Sequence, residues 1–186
     1  MNKYPKFLKV ANKKYKINTD FRVALECDKI ARDINIGEYE KILAIIYLLL
    51  GDEALDDYEN HDKLFRMCEK YLRCNKEVDE LNDEAKPSMD FEQDAGYIKA
   101  SFMTDYQIDL DKIELHWWAF IDLMTGFTED TVLNRVRYIR EEPLHDKKGK
   151  ELEKWEKLKK SVALKYEKTE EEKWMDDLFD SQMRGE

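Results

Sequence analysis

Three histidines, three cysteines and one group of acids are the side chains of this 186-residue sequence whose types do chemistry. His61, Cys68 and Cys74 are of the types that bind zinc. Their separations of seven and six residues do not give the tight ligand pairs of structural zinc sites, and on one helix they fall on different faces. Asp105, Asp109, Asp111 and Glu114 are of the type that holds a divalent cation. The group lacks the glycine and the twelve-residue spacing of a calcium loop, with Ile108 and Leu110 set between the acids. Asp109 or Asp111 has a simpler role as the cap of a following helix, whose N-terminus attracts negative charge.

A general base needs a nucleophile or a substrate pocket beside it. His116, between Leu115 and Trp117, has no such pattern around it, and reads as a hydrogen-bonded structural histidine. No glycine-rich phosphate loop, dinucleotide fingerprint or nucleophile elbow occurs anywhere in the chain. The expectation is therefore a protein with no catalytic residue, no metal and no cofactor, which acts by holding another protein.

The elements that position these residues are mostly helical. The chain is 42% hydrophobic and 40% charged with only 6 Gly and 3 Pro, a balance that favours helices over a turn-rich sheet fold. Residues 7–18 alternate in the manner of a hairpin, Leu8, Val10, Tyr15 and Ile17 falling on one face. A turn at Asn12-Lys13 sets Val10 opposite Tyr15; a longer loop over Asn12 to Lys14 serves equally. From Thr19 or Asp20 the period becomes helical, Gly37 interrupts it, and Glu38 to Leu50 forms a core helix closed by Gly51. Another helix runs from Asp62 to Arg73.

Residues 76–88, acidic and ending near Pro87, read as a linker between a first half, 1–75, and a second, 89–146. Asp90 caps a helix bearing Phe91, Ala95, Ile98, Phe102 and Tyr106; a further helix spans Lys112–Thr125, and another runs from Thr128 to about Glu141, stopped by Pro143. On the Lys112–Thr125 helix, Ile113, Trp117, Phe120, Ile121 and Met124 share a sector of roughly 100°. Leu115 and Trp118 lie outside it. Such a helix is either central in a bundle or offers its second face to a partner.

Residues 147–186 form a charged amphipathic helical tail with Leu152, Trp155, Leu158 and Val162 as a stripe, and Trp174 and Leu178 paired further on. It either folds back on its own core or supplies anchors for a partner. The fold class expected is mainly α: a helical bundle with a small N-terminal hairpin and a long charged C-terminal helix.

Formal net charge is −10, with −8 of it (3 basic against 11 acidic residues) in 76–111. Nucleic-acid binders carry a basic footprint, so none is expected as a partner. The acidic segment permits mimicry of DNA, but its acids cluster in the linker. The most apolar run, Ile42–Leu50, is far shorter than the roughly 20 residues a membrane helix needs, so no membrane contact is expected. An odd cysteine count without C-x-x-C and without a secretory leader points to free thiols in a reducing cytosol.

The stretches MDFEQDAGYIKASFMTDYQIDL (89–110) and ELHWWAFIDLMTGF (114–127), with KVANKKYKINTDFR (9–22) near the start, resemble the phage "gene product fifteen" family of phages and prophages of Gram-positive bacteria. Leu115-His116-Trp117-Trp118 with Phe120 is the most specific piece, and Asn12-Lys13 departs from an expected Asn-Gly turn.

The resemblance implies a gene in the tail module just before the tape-measure gene. It implies a non-catalytic tail-assembly chaperone of the host bacterial cytoplasm that keeps the tape-measure protein soluble while tail-tube subunits polymerise around it. A structural tail-completion or connector protein of the virion is the alternative. The anchors expected for the partner are Leu115, Trp118, Trp155, Trp174 and Leu178, on a chain that forms a homo-oligomer.

Overall fold

A computed structural model describes residues 4–76 and 87–165. Strands β1 (Phe7–Val10) and β2 (Lys13–Lys16) pair antiparallel. Helices follow as α1 (Phe21–Arg32), α2 (Glu38–Leu50), α3 (Asp52–Leu55), α4 (His61–Leu72), α5 (Ala95–Tyr106), α6 (Trp117–Thr125), α7 (Val132–Glu141) and α8 (Gly149–Val162). The chain is mainly α with a small hairpin, as its composition and periodicity require. Contacts divide it into two compact units, Met1–Tyr138 and Ile139–Glu186, a boundary that falls within α7. The first unit takes in the expected half 1–75 and most of the expected half 89–146. Most of the expected linker, and the tail from residue 166 onward, lie outside the described residues.

The hairpin buries the expected face, since Leu8, Val10, Tyr15 and Ile17 are all buried. Its register differs by two residues from the Asn12-Lys13 alignment: Leu8 pairs with Tyr15 and Val10 with Lys13. The turn is Ala11-Asn12, and Ala11 takes a φ of 50°. A two-residue hairpin turn needs positive φ at its first position, where glycine bears no Cβ penalty. Replacing Ala11 by Gly is therefore expected to raise stability by about 0.5–1 kcal/mol, after allowance for the looser unfolded chain. In a thermal melt this reads as a midpoint roughly 1–4 °C higher. An unchanged or lower midpoint would show the turn to be unstrained.

The first two helix starts have local causes. Asp20 accepts the Arg22 amide at 2.8 Å to cap α1, and the Glu40 carboxylate reaches back to the Gly37 amide at 3.0 Å at the head of α2. Gly51, at φ 77°, ends α2 in a conformation costly for any other residue.

The helix expected from Lys112 begins only at Trp117. Residues ahead of it are extended because they pair with the strand-like entry to α1: the Phe21 amide donates to Leu115 O and the Trp117 amide to Thr19 O. The helix expected from Thr128 begins at Val132, with Thr128 held in the preceding turn by the Asp105 carboxylate, which accepts its amide at 2.7 Å. Asp90 caps the turn leading to α5, accepting the amides of Glu92 and Gln93.

The core of the first unit is a column of rings. Phe120, fully buried, lies parallel to Phe21 at 4.8 Å and to Phe102 at 5.1 Å, with Trp117 at 5.7 Å. It thereby joins α1, α5 and α6. In the second unit α8 carries the expected stripe, Leu152, Trp155, Leu158 and Val162, all half-buried. There the Lys147 ammonium sits 5.0 Å over the Trp155 ring, and Lys159 donates to Arg140 O at 2.6 Å. No helix among the described residues is long and apolar enough to cross a membrane.

Candidate partner-binding surface

The Leu115-His116-Trp117-Trp118 run is built around the end of α4. A helix leaves its last carbonyls without intrahelical partners. Here two consecutive indoles supply them: Trp117 Nε1 donates to Leu72 O and Trp118 Nε1 to Tyr71 O, each at 2.9 Å. Trp118 stacks on Tyr71 at 6.0 Å and is half-buried. His116 caps α6: its Nδ1 accepts the Trp118 amide at 3.0 Å, and its other ring nitrogen meets Pro5 O at 2.9 Å. With Nδ1 accepting, the ring proton belongs on Nε2, where it donates to that carbonyl. Tyr4 stacks on His116 at 5.0 Å and donates its hydroxyl to Asp122 at 2.8 Å. The motif is thus a clasp that ties the N-terminal segment, α4 and α6 together.

Leu115 is different. Standing ahead of α6 rather than on it, it is half-buried and lines an open cleft of about 980 Å³. The cleft lies between the base of the hairpin (Lys6, Lys16, Ile17), the end of α2 (Tyr47 to Gly51) and the Glu114–His116 segment.

The run read from hydropathy as a core helix is core on one face only. Ile45, Ile46, Leu49 and Leu50 are buried, whereas Leu43, Ala44 and Leu48 are only partly buried and Tyr47 is 49% exposed. From Leu43 to Leu50 there is no charged side chain, so this outward face is apolar and runs straight into the cleft. Tyr47, Leu48 and Leu43 are residues that sequence reasoning missed. The signal was present: eight uncharged residues make a helix apolar all round, and a helix packed only on one side must then expose part of it.

Of the expected anchors, the structure places Leu115 and Trp118 in the first unit and Trp155 in the second. Trp174 and Leu178 lie outside the described residues.

The groups considered for chemistry have structural partners. Burial pushes the Cys27 and Cys68 thiols up to about 12 and that of Cys74 to about 11, so all three stay protonated at neutral pH. His61 Nε2 meets Leu55 O at 2.8 Å. Asp109 pairs with Lys112 at 2.8 Å, and that hydrogen bond holds its carboxyl below the usual range; Asp111 pairs with Lys99 at 2.6 Å. No group of three or more His, Cys, Asp or Glu among the described residues is placed to hold a metal ion. What the geometry offers is a partly covered apolar helix face, with Tyr47 exposed, opening into a charged-rimmed cleft, which suits a segment of another protein.

Residues 2–164 match the family model described as Bacteriophage Gp15 protein. No curated protein and no solved structure matches the chain.

Proposed function

Because the chain belongs to the Bacteriophage Gp15 protein family, which makes it a phage structural or assembly-related protein, we propose that it is a tail-assembly chaperone that binds the tape-measure protein in the host cytoplasm. It acts without catalysis, holding apolar helical segments of its client until tail-tube subunits enclose them. The observation that carries this reading is the outward face of α2, Leu43, Ala44, Tyr47 and Leu48, continuous with the Leu115 cleft. A chaperone of this kind needs apolar anchors among solubilising charges rather than a closed polar pocket. The net charge of −10 keeps such a surface in solution and favours basic client segments.

Co-expression with the tape-measure protein encoded beside it tests the reading, with the soluble, co-purifying tape measure as readout. The wild-type chain is expected to raise that fraction, and Tyr47→Glu to lower the captured amount at least about tenfold, as loss of an aromatic anchor does. Removal of 147–186, which deletes Trp155, Trp174 and Leu178, reports on the second unit. A tape measure that stays insoluble beside the wild-type chain sinks the proposal. So does recovery of the protein as a stoichiometric part of mature tails, the result expected of a tail-completion or connector protein.

A further inference from the structure

We infer that the α2 face and its cleft are a self-association surface, and that two copies of the chain close on one another there through a two-fold axis. The inference goes beyond the client reading and stands without it: the same face cannot hold both at once, so a dimer closed here must part before the face takes a client segment. A two-fold interface sets one patch against itself, so the patch must carry both a knob and a hole, and both signs of charge. This one does. Tyr47, 49% exposed, lines the cleft and supplies the knob, and the half-buried Leu48 and Leu115, which also line it, supply apolar lining for an incoming ring.

Four exposed charges stand around the cleft: Lys6 and Lys16 from the hairpin, Asp52 after α2, and Glu114 before His116. None of the four has an ion-pair partner among the described residues. Asp20, which also lines the cleft, is by contrast taken by Arg22 at 3.0 Å. Two lysines and two acids sum to zero. On a chain of net charge −10, a neutral patch that bears both signs is where two copies meet with least repulsion. The small Ala44 on the same outward face leaves room for close approach of the two α2 helices.

The mass of the purified full-length chain, followed by light scattering and sedimentation over about 1–100 µM, tests this over the usual range of modest interfaces. The expected result is twice the mass of one chain. Tyr47→Glu is expected to weaken the dimer at least about 30-fold while leaving the thermal midpoint nearly unchanged, since the side chain is half exposed. Lys6→Glu with Lys16→Glu turns the rim into four acids and is expected to give monomers. Adding Asp52→Lys and Glu114→Lys restores opposite signs and is expected to restore the dimer.

A monomer throughout the range overturns the inference, as does a dimer indifferent to Tyr47 and to the rim charges. A monomeric wild type whose tape-measure capture still depends on Tyr47 would leave the surface to the client alone. A dimer broken by Tyr47→Glu, beside a tape measure that never becomes soluble, would keep this inference and remove the chaperone.

Discussion

Phe120→Ala is expected to lower the unfolding free energy by about 3–5 kcal/mol, the range for an aromatic removed from a closed core. Phe120 is fully buried, and its ring is parallel to Phe21 and Phe102 within 5.1 Å, so one truncation uncouples α1, α5 and α6 together. The neighbours are poorly placed to close the gap. Phe102 is held against Phe127 at 5.1 Å, and Trp117 is tied by its indole to Leu72 O. Against a typical domain stability of roughly 5–15 kcal/mol, the loss leaves a marginal fold. Urea unfolding followed by tryptophan fluorescence measures it. Phe120→Leu, which keeps most of the volume, should cost less than half as much. If both variants unfold within about 1 kcal/mol of wild type, the column of rings is not the centre of the core.

Much of this column was legible in the sequence, because Phe102 falls on the apolar stripe with Ile98 and Tyr106, Phe120 on that with Trp117 and Met124, and spacing reports which face is apolar. Registers and starts were less legible, because partners distant in sequence decide them. The hairpin slipped by two residues since its positive φ is borne by Ala11, a residue type that gives no turn signal. The helix expected from Lys112 lost its first turn to backbone pairing with Thr19 and Phe21, some 95 residues earlier. A helical wheel has no access to that contact. Leu115 was set apart from the core sector on the wheel, and the structure accounts for this by keeping it off the helix altogether. Hydropathy alone showed that Leu43–Leu50 is apolar, but which of its faces is covered depends on the packing of α1 and α4, and that hid Tyr47 and Leu48 from the sequence.

Arg32→Ala is expected to cost about 2 kcal/mol at neutral pH and progressively less in acid. Asp90 is the reason. Its side chain is 4% exposed and pairs with the Arg32 guanidinium, joining α1 to the turn that leads into α5. Burial pushes the Asp90 carboxyl up, but the Gln93 and Glu92 amides and Arg32 outweigh burial and hold it below the usual range. Removing one member of a buried pair costs roughly 3–5 kcal/mol. The lower figure applies here because the Arg32 side chain is 44% exposed and Asp90 retains its two amide donors.

The sign of the pH dependence follows. A carboxyl whose folded pKa lies below its unfolded value of about 3.9 adds stability above that pH and loses it as pH falls through the folded value. Arg32→Ala moves the folded value upward, so its destabilisation is largest near pH 7 and shrinks as pH falls through the variant's folded value towards the lower wild-type one, below which Asp90 is protonated in both chains. Asp28, on the same guanidinium, is pushed up by burial and pulled down by Arg32 as Asp90 is, so it adds to the same trend, which makes Asp28→Asn the control that isolates Asp90. Unfolding free energies of wild type and Arg32→Ala from pH 7 to pH 3 decide the matter. A difference that stays constant across that range would mean Arg32 contributes by packing alone, and that Asp90 is held by the turn amides without it.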